Sequence, residues 1–353
     1  MRDIWYLVLP LIISALITPV VKQIGYRLDA FAQMNERTVH HGKIVRIGGV
    51  AIYLAFIITM ALYVKTDMAM NGILIGSTIM FIGGLVDDLV NLKPLYKFSF
   101  QVVAAIVLIA SGVTLDVIRL PLGITINMGV VSFIVTFFWI TGITNAVNLI
   151  DGLDGLCGGI SVIILTVIAM LAVIEGRGDV EMIALILVGA TLGFLIYNAH
   201  PASIFMGDCG ALFLGFIISA ISLLGFKSST IMTLALPIID TLSAILRRTL
   251  KGHKFSEADK SHIHHLLMNK FGHKNTVIIM CIVTALFGLT AYVYMINKGI
   301  GLISLFVIML AVDLFIEGSG MISDKYHPIL SVSRRIIRRL TRKKTITDSD
   351  RTD

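Results

Sequence analysis

Five aspartates lie at the ends of long apolar stretches, in three short segments of the chain. The segments are GGLVDDLVNL, NAVNLIDGLDGL and FMGDCGALFLG, and the aspartates are Asp87, Asp88, Asp151, Asp154 and Asp208. A carboxylate placed in the hydrocarbon of a membrane costs roughly 3 kcal/mol or more. Because five such groups on one face need a compensating partner, we expect them to bind a metal ion or a phosphate.

The first segment places Asp87 and Asp88 at the C-terminal end of a predicted helix. The helix dipole is negative at that end, so capping does not explain two carboxylates there. Two interpretations remain: solvated loop acids, or a pair that handles a metal ion or a phosphate at the membrane surface. The segment lacks the third acid of the DDxxD pattern of prenyl-chain synthases.

The second segment presents Asn145, Asn148, Asp151 and Asp154 at three-residue spacing. In a helix, this spacing places the four side chains on one face. Amide and carboxylate oxygens suit a hard cation, or the ribose and base of a nucleotide. Asp154 is also a candidate N-cap for the next helix, but capping leaves Asn148 and Asp151 unexplained.

The third segment places Asp208 just before a predicted helix, where it suits an N-cap. The same position also suits a magnesium site, because a helix N-terminus binds phosphate and Mg²⁺ is usually held by one or two carboxylates plus substrate phosphates. Phe205, three residues earlier, is a candidate either for ordinary packing or for stacking on a nucleobase.

The last group of side chains that could take part in chemistry is in the segment SHIHHLL. It consists of His262, His264 and His265. No Cys or Glu-x-x-His pattern supports a zinc site. We expect these side chains to donate hydrogen bonds to phosphate, with a polar loop of incidental histidines as the alternative. For Asp240 and Asp313, which fall inside apolar windows, we expect structural pairing.

The elements that position these groups must be membrane helices. The chain has 353 residues, of which 56% are hydrophobic and 14% charged, and its mean hydropathy is +0.90. Such a composition excludes a soluble enzyme. We predict an all-α polytopic membrane protein with about eleven transmembrane helices, in the windows 4–21, 47–64, 68–86, 98–115, 130–150, 155–174, 182–207, 209–226, 228–246, 275–297 and 299–316.

Two smaller features complete the predicted architecture. A small extracytoplasmic β-hairpin is expected within residues 116–129, where β-branched residues flank Pro121 and Gly123. We predict a multi-pass catalytic domain over residues 1–324 and a basic cytoplasmic tail over residues 325–353. The run SRRIIRRLTRKK in that tail is typical of an amphipathic helix on anionic lipid or of a disordered basic anchor.

The distribution of basic residues predicts the orientation. If the eleven windows all span, 23 of the 29 Lys and Arg residues fall on the side that holds the loop 247–274 and the C-terminal tail. The positive-inside rule then places the N-terminus outside and the C-terminus in the cytoplasm. The five aspartates would face the cytoplasm as well.

Four segments together resemble the polyprenyl-phosphate N-acetylhexosamine-1-phosphate transferase family: GGLVDDLVNL, NAVNLIDGLDGL, GDCGALFLG and DKSHIHHLL. Residues 37–49, RTVHHGKIVRIGG, match its first cytoplasmic loop more loosely. The chain resembles the branch that starts teichoic acids and O-antigens by loading GlcNAc-1-phosphate onto undecaprenyl phosphate. It is less similar to the MurNAc-pentapeptide branch, whose histidine loop reads HHHFE where this chain has HIHHLL.

The resemblance implies a role for each matching position. The implied metal is Mg²⁺, with Mn²⁺ as a substitute, and its ligands would be Asp208 and Asn148. The implied catalytic residues are Asp87, Asp88, Asp208, His262, His264 and His265. The implied substrate-binding residues are Asn148, Asp151, Asp154, Asn198, Phe205, Arg37, His40 and Arg46.

The implied partners are undecaprenyl phosphate, a UDP-N-acetylhexosamine and, through the basic tail, anionic lipid of the bacterial cytoplasmic membrane. The pattern permits a homodimer, and no nucleic-acid partner is expected. A MurNAc-pentapeptide transferase and, from another class, a secondary transporter remain alternatives. Transport is disfavoured because the acids lie at one face and no internal repeat is visible. Phosphatidyl transfer would need a DGxxAR pattern that the chain lacks.

The predicted orientation is testable with single cysteines. Ser256→Cys and Ser333→Cys lie in the two most basic segments, so both should resist an impermeant thiol reagent added to intact cells. Thr66→Cys, beside Lys65 in the predicted loop on the opposite side, is the matched control and should react. Ready labelling at Ser256→Cys or Ser333→Cys would reverse the orientation.

Overall fold

The structure is a computed structural model that describes residues 2–32, 43–63, 67–119, 125–224, 229–250 and 262–318. The predicted site residues Arg37 and His40 lie outside these ranges, as do the tail 325–353, Ser256, Pro121 and Gly123. The chain divides into two units, residues 1–301 and 302–353. The second unit is described only up to Gly318, at the end of one helix, so the boundary predicted at residue 324 stays a prediction.

Helices make up nearly all of the described structure, as the sequence predicts. They are α1 (Arg2–Arg27), α2 (Gly49–Tyr63), α3 (Met68–Val90), α4 (Pro94–Ala110), α5 (Val131–Ile150), α6 (Leu156–Glu175), α7 (Gly178–Asn198), α8 (Gly207–Leu224), α9 (Ser229–Thr233), α10 (Ala235–Leu250), α11 (Ile263–Phe271), α12 (His273–Ile296) and α13 (Lys298–Gly318).

Eight of the described helices are long and apolar enough to cross a membrane: α1, α3, α5, α6, α7, α8, α12 and α13. This confirms an all-α polytopic membrane protein. Each of the eleven predicted windows contains a helix, but α2, α4 and the apolar part of α10 are shorter than a full span. The window 228–246 holds two helices, α9 and α10, and the exact number of crossings stays a prediction.

One window ends earlier than predicted. We expected a span over residues 182–207, whereas α7 ends at Asn198 and residues 199–206 are not helical. Pro201 explains the difference, because proline cannot donate the backbone hydrogen bond that a continuing helix needs. Helix α8 begins at Gly207, whose φ of +72° suits glycine at such a turn.

Two short strands lie between α4 and α5. β1 (Val117–Arg119) pairs antiparallel with β2 (Thr125–Asn127), and Val117 lies opposite Asn127. The connection between the strands lies outside the described residues. The side of the membrane on which they lie stays a prediction.

Helix α8 forms the centre of the bundle, since every residue from Cys209 to Leu223 is buried. It packs against α3, α5 and α2, while α7 packs against α1 and α6. Glycines permit the closest approaches near the start of α8. A Cβ added at Gly84 of α3 would lie 2.5 Å from the carbonyl oxygen of Asp208, and one at Gly49 of α2 would lie 2.1 Å from the backbone nitrogen of Gly210.

Gly84→Ala tests whether this approach is required. The added methyl group meets backbone atoms that cannot rotate away, so we expect a loss of about 1–3 kcal/mol in stability. Gly142→Ala is the matched control, because a Cβ at that helical position meets no atom within 4 Å. Thermal unfolding in detergent should show a lower melting temperature for Gly84→Ala alone. Equal melting temperatures for the two variants would contradict the packing argument.

Candidate active site

A pocket of about 360 Å³ lies at the end of the bundle where α8 begins. Its size is within the range of small-molecule sites. Eight predicted site residues line it: Arg46, Asp88, Asp151, Asp154, Asn198, Phe205, Asp208 and His265. The other lining residues are Ala32, Gly152, Leu153, Gly207, Met268 and His273. The pocket therefore brings together the segments that carry the motifs, which are far apart in the sequence.

Asp88 holds the start of α8. Its two carboxylate oxygens accept the backbone N–H groups of Asp208 and Cys209, at 3.0 and 2.9 Å. The first N–H groups of a helix have no partner within the helix, so a carboxylate from α3 satisfies two of them. Asp208 is therefore not needed as the N-cap that the sequence permitted, and its own side chain is a quarter exposed.

Lys97 joins the acidic groups from the first turn of α4. Its ammonium contacts the carboxylate of Asp208 and lies 3.1 Å from Oδ2 of Asp87. The other oxygen of Asp87 accepts the backbone N–H of Leu92 at 2.8 Å. One oxygen from each of Asp87, Asp88 and Asp208 lies within 4.8 Å of the others, so the three carboxylates form one cluster.

Arg46 fixes the end of α3 from the first loop. Its guanidinium donates to the carbonyl oxygen of Asp88 at 2.8 Å and to that of Asp87 at 3.1 Å. A cation at a helix C-terminus complements the negative end of the dipole. Arg46 thus anchors the acidic segment and also lines the pocket, where we predicted it to bind substrate.

The polar side chains between Asn145 and Asp154 differ in role: some form hydrogen bonds within the helical bundle, and others lie at the pocket. Asn145 exchanges two hydrogen bonds with Gln101 of α4, at 2.8 and 3.0 Å, and so is used within the bundle. Asn148 differs, since its Oδ1 is buried without a hydrogen-bond partner. Asp151 follows the end of α5 and lines the pocket. Burial, and then the negative charges of the three nearby aspartates, raise the pKa of Asp151 to about 8.

These observations fit a divalent cation. The carboxylate cluster offers hard oxygen donors, the type that Mg²⁺ prefers, and the unpartnered Oδ1 of Asn148 is a donor of the same type outside the pocket lining. Burial is the main cause of the raised pKa of Asp151, and repulsion from the neighbouring aspartates adds to it; a cation would relieve that repulsion.

Asp154 and Asn198 tie the second segment to the stretch after α7. Oδ2 of Asp154 lies 3.0 Å from Nδ1 of His200 and accepts the backbone N–H of Ala202 at the same distance. Oδ1 of Asn198 accepts the N–H of Gly155, just before α6, at 3.1 Å. Asp154 is thus not the cap of α6 that the sequence also permitted, and a side chain from α7 supports that end.

The three predicted histidines separate into two groups. His265 lines the pocket, whereas His262 and His264 are buried beside Asp240 of α10. Nδ1 of His262 lies 3.0 Å from Oδ2 of Asp240, which confirms the expected structural pairing of that aspartate. His264 still approaches the pocket, because a Cβ added at Gly152 would lie 2.7 Å from its Nε2.

Sequence reasoning missed three residues of this region. Lys97 entered only the count of basic charges, although its spacing from the Asp87–Asp88 pair was visible. His200 and His273 have rings 4.1 Å apart, and Nε2 of His273 accepts the backbone N–H of Asp154 at 3.0 Å. The two histidines are far apart in the chain, so no local pattern could have joined them.

Comparison with known proteins identifies the family of this chain. A family profile described as Glycosyl transferase family 4 matches residues 70–226. The chain is 37% identical over 345 residues to the probable undecaprenyl-phosphate N-acetylglucosaminyl 1-phosphate transferase of Bacillus subtilis, covering 94% of this chain and 96% of that protein. It is 31% identical over 315 residues to the decaprenyl-phosphate N-acetylglucosaminephosphotransferase of Mycobacterium tuberculosis H37Rv, covering 77% and 76%.

A second kind of relative is also similar. The phospho-N-acetylmuramoyl-pentapeptide-transferase of Streptococcus uberis is 30% identical over 260 residues, covering 67% of this chain and 77% of that protein. A multi-pass helical bundle with an acidic pocket, together with these matches, defines a membrane glycosyl-1-phosphate transferase. The chain belongs to the polyprenyl-phosphate N-acetylhexosamine-1-phosphate transferase family, in its undecaprenyl-phosphate GlcNAc-1-phosphate transferase branch.

Stability measurements on variants can distinguish the structural role of Asp88 from the role of Asp208. Asp88→Ala removes both acceptors from the start of α8, so we expect a loss of about 1–2 kcal/mol in stability. Asp208→Asn removes no cap, and it loses the ion pair with Lys97 while relieving repulsion within the carboxylate cluster, so its loss of stability should be smaller than that of Asp88→Ala. Thermal unfolding of both variants in detergent measures the difference. A marked loss in Asp208→Asn with none in Asp88→Ala would reverse the assignment.

Proposed function

We propose that this protein transfers GlcNAc-1-phosphate from UDP-GlcNAc to undecaprenyl phosphate, releasing UMP and leaving undecaprenyl-diphosphate-GlcNAc. The observation that carries the proposal is the Asp208 carboxylate, which is not used as a cap and lies in a pocket with Asp88 and Asp151. The printed name of the Bacillus subtilis relative, similar over 94% of this chain, supports the same donor and acceptor.

The metal in this proposal is Mg²⁺, with Mn²⁺ able to substitute. Asp208 and Asn148 would hold it, and Asp87 and Asp88 would contribute charge to the same cluster. Bound Mg²⁺ would neutralise the diphosphate and stabilise the leaving UMP. Lys97 supplies a second positive charge at the cluster, close to where the phosphates of the substrates would lie.

The remaining pocket residues orient the donor. Phe205 would stack on the uracil ring, a contact worth about 1–3 kcal/mol where bases stack on aromatic side chains. Asp151, Asp154 and Asn198 would hold the uridine and nearby groups. His265 would donate to the diphosphate or the sugar, with His262 and His264 behind it. For Arg37 and His40, predicted to bind substrate, the sequence alone supports the role.

In the proposed reaction, an oxygen of the lipid phosphate attacks the sugar-bearing β-phosphorus of UDP-GlcNAc. The bond from that phosphorus to the bridging oxygen breaks, and UMP leaves with the electron pair. A phosphomonoester has a second pKa of about 6, so the acceptor is ionised at pH 7 and needs little help from a base. The alternative is a phosphorylated Asp87 or Asp88. Direct attack is favoured because both carboxylates already accept backbone N–H groups.

We further propose that the site faces the cytoplasm of a bacterial cell and that the multi-pass domain ends near residue 324. Basic residues concentrate in the loops 22–46 and 247–274 and in the tail. Such loops would attract two polyanionic substrates, and the tail would bind anionic lipid. Initiation of a surface polymer is the proposed cellular role, and self-association as a homodimer is compatible with it.

The direct test is release of UMP by purified protein given undecaprenyl phosphate and a panel of UDP-sugars. We expect UMP and lipid-linked sugar from UDP-GlcNAc only when the lipid and a divalent cation are present. Asp208→Asn should lower turnover by more than the roughly 10–100-fold cost of losing a group that only supports a metal ligand. A transporter would release no UMP with any sugar, and full activity in EDTA would contradict the metal.

A further inference from the structure

Asp240 is a fully buried carboxylate on α10 that lies outside the pocket lining. Its exposed fraction is 0%, and those of His262 and His264 are 4% and 1%. A buried carboxylate needs partners that compensate for lost hydration. Oδ1 of Asp240 accepts the backbone N–H of Ile263 at 2.6 Å, and Oδ2 lies 3.0 Å from Nδ1 of His262 and 3.4 Å from Nδ1 of His264.

These contacts fasten the first turn of α11. Ile263 is the first residue of that helix and His262 is its N-cap, so the N–H that Asp240 accepts has no partner within the helix. The same turn carries His264 and His265. His265 lines the pocket, and Nε2 of His264 reaches Gly152, which lines it too. The contacts of Asp240 therefore position His264 and His265 relative to the pocket.

The contacts also select the tautomer of the histidines. An ionised carboxylate can only accept hydrogen bonds, so Nδ1 of His262 must carry the proton that it donates. Nδ1 of His264 is buried 3.4 Å from the same carboxylate, too far for a direct hydrogen bond in this geometry, but the negative charge still favours a proton on that nitrogen. In a neutral ring, Nε2 is then an acceptor. For His264, that acceptor is the atom directed at Gly152.

We propose that Asp240 is a positioning residue for the transferase reaction, acting through His264 and the first turn of α11 rather than by touching the substrates. This inference rests on the proposed function. One potential ligand atom from each of Asp240, His262 and His264 lies within 4.8 Å of the other two, so a bound zinc ion is the competing explanation. Hydrogen bonding is favoured because Ile263 already occupies Oδ1 and the separation from His262 is that of a direct hydrogen bond.

The test is a double-mutant cycle on UMP release with Asp240→Asn, His264→Ala and the double variant. Asparagine can still accept the N–H of Ile263, but its NH₂ group donates toward Nδ1 of His262 and so opposes the native tautomer. We expect Asp240→Asn to lower kcat by at least about 10²-fold, since a wrong histidine tautomer in a serine protease costs about 10⁴-fold. In the His264→Ala background, the same change should cost less than about threefold.

A matched control removes the same charge from another apolar helix. Asp313→Asn on α13 should leave kcat within about twofold of the parent protein. If the costs of Asp240→Asn and His264→Ala multiply in the double variant, Asp240 has only a structural role and the inference is overturned. One zinc ion per chain in the purified protein would overturn it as well.

A spectroscopic measurement separates this inference from the proposed function. In protein labelled with ¹⁵N-histidine and free of substrates, His262 should show a protonated Nδ1, and Asp240→Asn should abolish that signal. Persistence of the signal in Asp240→Asn would overturn the tautomer argument whatever the enzyme does. Absence of UMP release by the parent protein would instead overturn the proposed function, and the positioning role with it.

Discussion

The first N–H groups of a helix need acceptors, and where they are buried within a helical bundle water does not supply them. At three helix starts around the pocket, a side chain from another helix provides the acceptor. Asp88 of α3 serves α8, Asn198 of α7 serves the turn before α6, and Asp240 of α10 serves α11. Because each acceptor is carried by a different helix, the pocket exists only when all of these helices are assembled.

This constraint explains which parts of the architecture could be predicted from the sequence. Apolar windows revealed the helices because the hydrophobicity of each span is a local property. The end of α7 was missed because one proline outweighed an otherwise apolar window. The window 47–64 extended past both ends of α2, and the window 98–115 lay too far toward the C-terminus of α4, because apolar residues beyond a helix end are also buried, as at Ile47, Val113 and Leu115.

Most residues of the site could be predicted from the sequence, but the structural role of each residue could not. Residue types and spacing identified Asp88 and Asp208, yet the sequence assigned a possible cap to Asp208 when Asp88 supplies it. Lys97, His200 and His273 were missed because their roles arise from contacts between distant segments. The partner of Asp240 was not named in advance for the same reason, since His262 lies 22 residues away along the chain.

The ammonium of Lys97 between Asp87 and Asp208 has one more consequence. A cluster of carboxylates without a counterion would push its helices apart, but here a tethered cation supplies part of the balance. Part of the positive charge that balances the acidic centre therefore belongs to the protein itself. Binding of the proposed metal would then be an exchange of positive charge, in which a divalent ion adds more than the lysine gives up. A monovalent ion would gain little from the same exchange, so the tethered lysine would favour a divalent ion at this cluster.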